Sequence, residues 1–196
     1  MPLTPRFDEA FLYASELHRT QTRKSSDIPY LSHLMAVAGL VLEHGGDEET
    51  AIAGLLHDAV EDQGGEPRLL EIRAKFGDRI ADLVDACTDA REDAGAIKPE
   101  WRPRKETYLA NLKHHSPDAL LVSCCDKLHN ARTILIDVRE KGLDAFEKFT
   151  GKIDGTLWYY RELCAVFVEH LPSPVSRELL RTVGEIERRV DEAMDF

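Results

Sequence analysis

Apolar residues recur at three- and four-residue spacing along almost the whole chain, the period of helices that bury one face. Phe7, Ala10, Phe11, Ala14 and Leu17 open the series behind Pro5, a residue suited to the first turn of a helix. This predicts a first helix from Pro5 to near Gln21–Lys24, ahead of the polar loop Ser25–Pro29. A second runs from about Tyr30 to Glu43, with Leu34, Val37, Ala38 and Val41 inward, and stops at Gly45-Gly46. Asp47 is placed to cap a third helix that carries Thr50–Asp62 and ends at Gly64-Gly65. Two shorter helices, Pro67–Phe76 and Asp78–Thr88, divide at Gly77. Asp89–Pro103 reads as irregular, a lid or a long surface loop, with Gly95, Pro99 and Pro103 as breakers. Helices over Arg104–His115 and Pro117–Thr133 follow, the second introduced by Ser116-Pro117. Short pieces near Leu143–Phe149 lead into Ile153–Leu171, and Pro172-Ser173-Pro174 precedes a final charged helix, Val175–Met194. No run alternates with strand period, and no repeat stands out. The pattern predicts an all-α bundle, with residues 1–196 as one domain.

Composition narrows the partners. A chain of 196 residues, 43% hydrophobic and 31% charged, is expected to be soluble and globular. No apolar run approaches the ~20 residues of a membrane span, and Met1–Arg6 lacks the apolar core of a secretory signal. Cys87, Cys124, Cys125 and Cys164 show no CxxC spacing and read as core thiols of a reducing cytoplasm. A net charge of −11 argues against a nucleic-acid polymer or an anionic membrane as partner. A small anionic substrate remains open to such a chain if the site gathers its own cations. Oligomeric state is left open.

The densest chemistry is His57-Asp58-Ala59-Val60-Glu61-Asp62, three carboxylates and an imidazole beside an apolar face. On one continuous helix His57 would share a side with Glu61, and Asp58 with Asp62. Polar groups next to a buried face cost several kcal/mol unless satisfied, and a divalent metal satisfies them. Three other segments supply matching chemistry. Ile28–His33 sets an imidazole near the start of the second helix. Asp126–Thr133 places Asp126, Asn130 and Thr133 on one face of an otherwise apolar helix. His18–Lys24 gives the first helix a cationic end, which helix electrostatics favours in its own right.

The words HRTQTRK, PYLSH, LLHDAVED and DKLHNART, in that order across Phe7–Thr133, resemble the hydrolase domain of the RelA/SpoT family and its stand-alone small alarmone hydrolases. The resemblance implies an HD-domain helical bundle with a metal, generally manganese, held by His33, His57, Asp58 and Asp126. Two imidazoles and two carboxylates suit a borderline divalent ion and leave positions for water and a phosphate oxygen. The resemblance also implies that Glu61 and Asp62 manage the attacking water. Arg23, Lys24 and Asn130 fall at the base and sugar, and Arg104 and Lys105 near the phosphates. His129 matches no metal ligand and is expected in the core or behind the ligands. The implied activity is manganese-dependent hydrolysis of the 3′-pyrophosphate of the guanosine polyphosphates (p)ppGpp to GDP or GTP and pyrophosphate. The family's synthetase half is not expected in this chain, since roughly sixty residues follow Thr133. Two alternatives stand beside it: the same chemistry on another nucleotide such as NADPH, and an idle HD fold that only binds nucleotide. Leu34, Ser26 and Cys124-Cys125 depart from the family's usual proline, glycine and Leu-Ala; none of these removes a ligand or an acid.

Overall fold

A computed structural model describes residues 2–89 and 100–195. Among them the architecture is helical, and the sole β-type contact is an isolated antiparallel bridge, Thr22 to Pro29. Helix α1 (Pro5–Leu17) is capped by the Thr4 side chain, which accepts from the Arg6 N–H, and buries Ala10, Tyr13 and Ala14. It ends at Leu17, earlier than the sequence suggested. The following residues are polar and have no apolar face to bury, and their backbone pairs elsewhere. Arg23 N–H donates to the Ile28 carbonyl at 2.8 Å, and Tyr30 N–H to the Gln21 carbonyl at 2.9 Å. His18–Lys24 is therefore a cap and the start of a small bridged loop, not a cationic helix end. Its left-handed residue is Ser25 (φ 58°), next to the Ser26 singled out from sequence.

Helices α2 (Leu31–Glu43) and α3 (Glu48–Leu56) pack closely on one another. Asp47 caps α3 through the Thr50 N–H, and every residue from Thr50 to Leu56 is buried. The contact is intimate because Gly54 has no side chain: a Cβ there would lie 3.3 Å from the Ala38 Cα. The expected single helix over Thr50–Asp62 is broken. His57 and Asp58 form a turn, and a short helix α4 (Ala59–Asp62) resumes after them. The sharing of sides expected across a continuous helix does not apply there.

Helices α5 (Gly65–Phe76) and α6 (Asp78–Cys87) meet at Gly77, whose φ of 86° favours glycine. Helix α7 (Trp101–Leu112) starts three residues before the expected Arg104, since Pro103 is tolerated in a first turn. The expectation of a lid or surface loop at 89–103 falls mostly on residues 90–99, outside the described residues. Helix α8 (Pro117–Lys141) is capped by Ser116 and runs eight residues past Thr133. Ile134 and Val138 keep the apolar period going, and no breaker occurs before Gly142, at φ 60°. A 3₁₀ turn (Gly142–Phe146), α9 (Lys152–His170) and α10 (Pro174–Met194) complete the fold, α10 opening with a reciprocal Ser173–Ser176 capping box. Helix α8 is the axis: α2, α3, α6, α9 and α10 all pack on it.

Candidate active site

Three elements bring the central residues together. His33 lies in the first turn of α2, His57 and Asp58 in the turn between α3 and α4, and Asp126 mid-way along α8. His33 Nε2 is 3.2 Å from Asp126 Oδ1 and 3.6 Å from Asp58 Oδ2. His57 Nε2 is 2.9 Å from Asp58 Oδ2 and 3.6 Å from Asp126 Oδ1. Both Nε2 atoms are buried without a hydrogen-bond partner among the described residues. His33, His57 and Asp58 offer ligand atoms within 4.8 Å of one another, a spacing that one ion could span.

The outer nitrogens show how the rings are held. His57 Nδ1–H donates to the Gly54 carbonyl at 2.8 Å, which directs Nε2 into the cluster. His33 Nδ1 meets His129 Nδ1 at 2.8 Å. Burial, with His33 and Arg23 nearby, pushes His129 down to about 4, so it stays neutral beside His33. The carboxylates are braced too. Tyr30 Oη–H donates to Asp58 Oδ2 at 2.6 Å. Lys127 Nζ donates to Asp126 Oδ2, and Asn130 Nδ2 to Asp126 Oδ1, each at 2.6 Å. Burial would raise both carboxylates. The His57 charge and the neighbouring His33 imidazole hold Asp58 well below its usual range, and Lys127 with the two imidazoles does so for Asp126. Burial in turn would lower His57, but Asp58 and Asp126 hold it well above its ordinary value.

A cavity of about 820 Å³ opens from this cluster. Glu61 lines it, with Oε1 3.7 Å from Arg104 Nη1. Asp62 is not among its lining residues; it accepts from Gln21 Nε2 at 2.8 Å, and burial together with Asp58 raises its pKa. The two acids expected to act as a pair thus sit in different surroundings. Arg23, Lys24 and Asn130 line the cavity on one side. Asn130 is committed at both ends, since its Oδ1 accepts from Arg23 Nη2 at 2.5 Å while its Nδ2 holds Asp126. Arg104 and Lys105 line another wall and both reach the Asp89 carboxylate, Arg104 Nη1 at 2.7 Å. Burial and the neighbouring Lys127 lower the Lys105 pKa. Tyr30, Lys127 and Asp89 had no role assigned from sequence, although the first two stand inside the quoted words PYLSH and DKLHNART. A tyrosine one turn before a candidate ligand, and a lysine next to one, were the available signals.

The HD domain family matches residues 10–154. A guanosine-3′,5′-bis(diphosphate) 3′-pyrophosphohydrolase MESH1 from Xenopus tropicalis is 36% identical over 129 residues, 64% of this chain and 68% of that protein. A GTP pyrophosphokinase of Streptomyces coelicolor is 37% identical over 136 residues, 69% of this chain. The chain spans only 16% of that longer relative's length. Among solved structures, a metazoan SpoT ortholog described as hydrolysing ppGpp superposes with a TM-score of 0.67 at 25% identity, covering 100% of this chain and 97% of that one. A Listeria monocytogenes protein gives the same TM-score at 28% identity, over 82% of this chain and 99% of its own. The fold and the buried His/Asp cluster define an HD-type protein with a potential divalent-metal site. The chain belongs to the RelA/SpoT-related HD hydrolases, the group that includes MESH1. Among the described residues no helix is long and apolar enough to cross a membrane.

Proposed function

We propose that this chain is a manganese-dependent 3′-pyrophosphohydrolase of (p)ppGpp, with residues 1–196 forming one HD-type domain. The observation that carries the reading is the pair of buried nitrogens, His33 Nε2 and His57 Nε2, that make no hydrogen bond and converge on the Asp58 and Asp126 carboxylates. This donor set fits a divalent transition metal, with His33, His57, Asp58 and Asp126 as its holders. When bound, such an ion lowers the pKa of a coordinated water and offsets charge on the phosphoryl oxygens. The chain's own groups do the rest. Tyr30, Lys127 and Asn130 fix the carboxylates, while Gly54 and His129 fix the imidazoles. Glu61, on the cavity wall, accepts the proton of the water that adds to the phosphorus bonded to O3′. That P–O3′ bond breaks, O3′ leaves as a hydroxyl on gaining a proton, and GDP or GTP and pyrophosphate result. Asp62 orients the Gln21 loop and acts at one remove. Arg104 and Lys105 neutralise the phosphates, and Arg23, Lys24 and Asn130 hold the base and sugar. All four cysteines are free, which suits a reducing compartment and a cytoplasmic location.

The test is a manganese-supplemented assay against ppGpp, pppGpp, NADPH and common nucleotides, with Asp58→Ala as the blank. Release of pyrophosphate from ppGpp or pppGpp is expected. Turnover of NADPH with none of either guanosine polyphosphate overturns the substrate assignment, and turnover of nothing overturns the enzyme.

A further inference from the structure

Helix α7 carries its cations at one end and its apolar anchorage at the other. Its buried residues, Tyr108, Leu109 and Leu112, all fall in the C-terminal half, while Arg104 and Lys105 stand in the N-terminal half. Among the described residues its chief packing partner is α9. The N-terminal half has one large apolar side chain, Trp101, which shares a face with Arg104 and Lys105 at i, i+3 and i+4. All three line the cavity. What holds Trp101 therefore bears on where the two cations stand.

Trp101 is seated on α9 in a notch that two glycines leave open. A Cβ on Gly151 would lie 2.8 Å from both Cη2 and Cζ2 of the indole. One on Gly155 would lie 3.1 Å from Cζ3 and 3.2 Å from Cη2. These distances fall short of the roughly 3.5 Å at which carbon atoms pack. Neither glycine has a positive φ, so the backbone alone would accept alanine at both. Gly155 lies within α9, where alanine is intrinsically the better helix former. Local structure gives no reason for a glycine there; the indole does. Gly184 in α10 is the contrast, since a Cβ there meets nothing within 4 Å. Edge-on contacts with Trp158 and Tyr159, at centroid distances of 6.2 and 6.3 Å, complete the seat.

We infer that Trp101 is a positioning residue for the cationic wall: docked on Gly151 and Gly155, it fixes the start of α7 and with it the reach of Arg104 and Lys105 into the cavity. Asp89 gathers the two cationic heads from the side, whereas Trp101 sets the backbone that bears them. The inference rests on the proposed reaction for the identity of the ligand, while the seat itself is independent of guanine and of the metal.

The test uses the manganese-loaded full chain, with inorganic pyrophosphate binding read by calorimetry and ppGpp turnover read as KM and kcat. Gly155→Ala drives its methyl into the indole and should weaken pyrophosphate binding and raise KM roughly tenfold, the size of one charge-assisted hydrogen bond. Manganese affinity and kcat should stay close to wild type, as when binding shared by ground and transition states is lost. Trp101→Phe, whose ring stops short of the notch, should act in the same direction. Combining the two should recover part of the loss, because the alanine methyl then fills space that the indole has left. Gly184→Ala should leave every reading unchanged. Wild-type pyrophosphate affinity in Trp101→Phe overturns the positioning role, whatever the thermal midpoint does, and decides the matter even if Gly155→Ala does not fold. A double variant that binds no better than Gly155→Ala overturns the seat. Parallel loss of manganese shows general packing damage and overturns the inference as well. If the wild type leaves ppGpp intact but binds pyrophosphate in this Trp101-dependent way, the substrate assignment fails and the positioning role stands.

Discussion

Asp58 and Asp126 present alike in sequence but are held differently. Asp58 has the Tyr30 hydroxyl on one oxygen, whereas Asp126 is fixed at both, by Lys127 and Asn130. Asp58→Ala and Asp126→Ala should each lose metal and activity together, measured by metal content after gel filtration. Glu61→Gln should retain metal and lose about 10²–10⁴-fold in kcat, as expected when a proton acceptor is removed from an intact ligand set. Equal metal loss in all three would place Glu61 among the ligands. A second prediction concerns His115, whose Nδ1 is buried without a partner among the described residues and whose pKa is lowered by burial and by His114, with Asp85 opposing. A histidine with a depressed folded pKa is neutral inside the protein, and the unfolded chain takes up the proton first. Its contribution to stability is therefore complete above the unfolded value of about 6.5 and is lost as pH falls below it. Against His115→Gln, which does not titrate, the wild type should lose thermal stability progressively between pH 7.5 and about 5. A pH-independent difference between the two would show that burial does not depress this imidazole.

Helix periodicity revealed nearly every element, because each helix buries one face and the spacing of Ala14, Val41, Leu128 or Ile186 records that directly. The interruption at His57–Asp58 left no such trace. Leu55 to Asp62 contains no glycine or proline, and the turn accompanies a side-chain bond from His57 to the Gly54 carbonyl, a contact that residue spacing does not encode. The site shows the same division. The four candidate ligands could be picked out through the resemblance, while the approach of Asp89 to Arg104 and Lys105 depends on which helices pack together. Gly54 links fold and site at this scale. Its missing side chain lets α3 approach Ala38, so Gly54→Ala would put a Cβ 3.3 Å from one backbone atom and 3.4 Å from another. Neither can rotate away, and α2, which carries His33, must shift. A loss of about 1–3 kcal/mol in urea unfolding is expected, together with weaker metal binding. A stability loss with unaltered metal affinity would mean that α2 moves without carrying His33 off its position.

The whole molecule carries a formal charge of −11, and its candidate centre is acidic as well, so a divalent cation should be drawn to a fold already prepared for it. In the metal-free state Asp58 and Asp126 hold His57 charged, well above its ordinary value. That imidazolium contributes stability fully below the unfolded value of about 6.5 and loses it as pH rises through the folded pKa. A metal ligand must instead be neutral, so loading the site expels the His57 proton, and the stabilisation by metal should grow with pH. At a hundredfold excess over Kd, manganese should add about 2.7 kcal/mol. For a chain of this size that raises the thermal midpoint by roughly 5–10 °C. Calorimetric titrations in buffers of different ionisation enthalpy should reveal about one proton released per ion near neutral pH, and chelator should reverse the thermal shift. Asp58→Ala should show neither the shift nor the proton. A rise in midpoint that Asp58→Ala retains would place the bound cation on the acidic surface, away from the His33–His57 nitrogens.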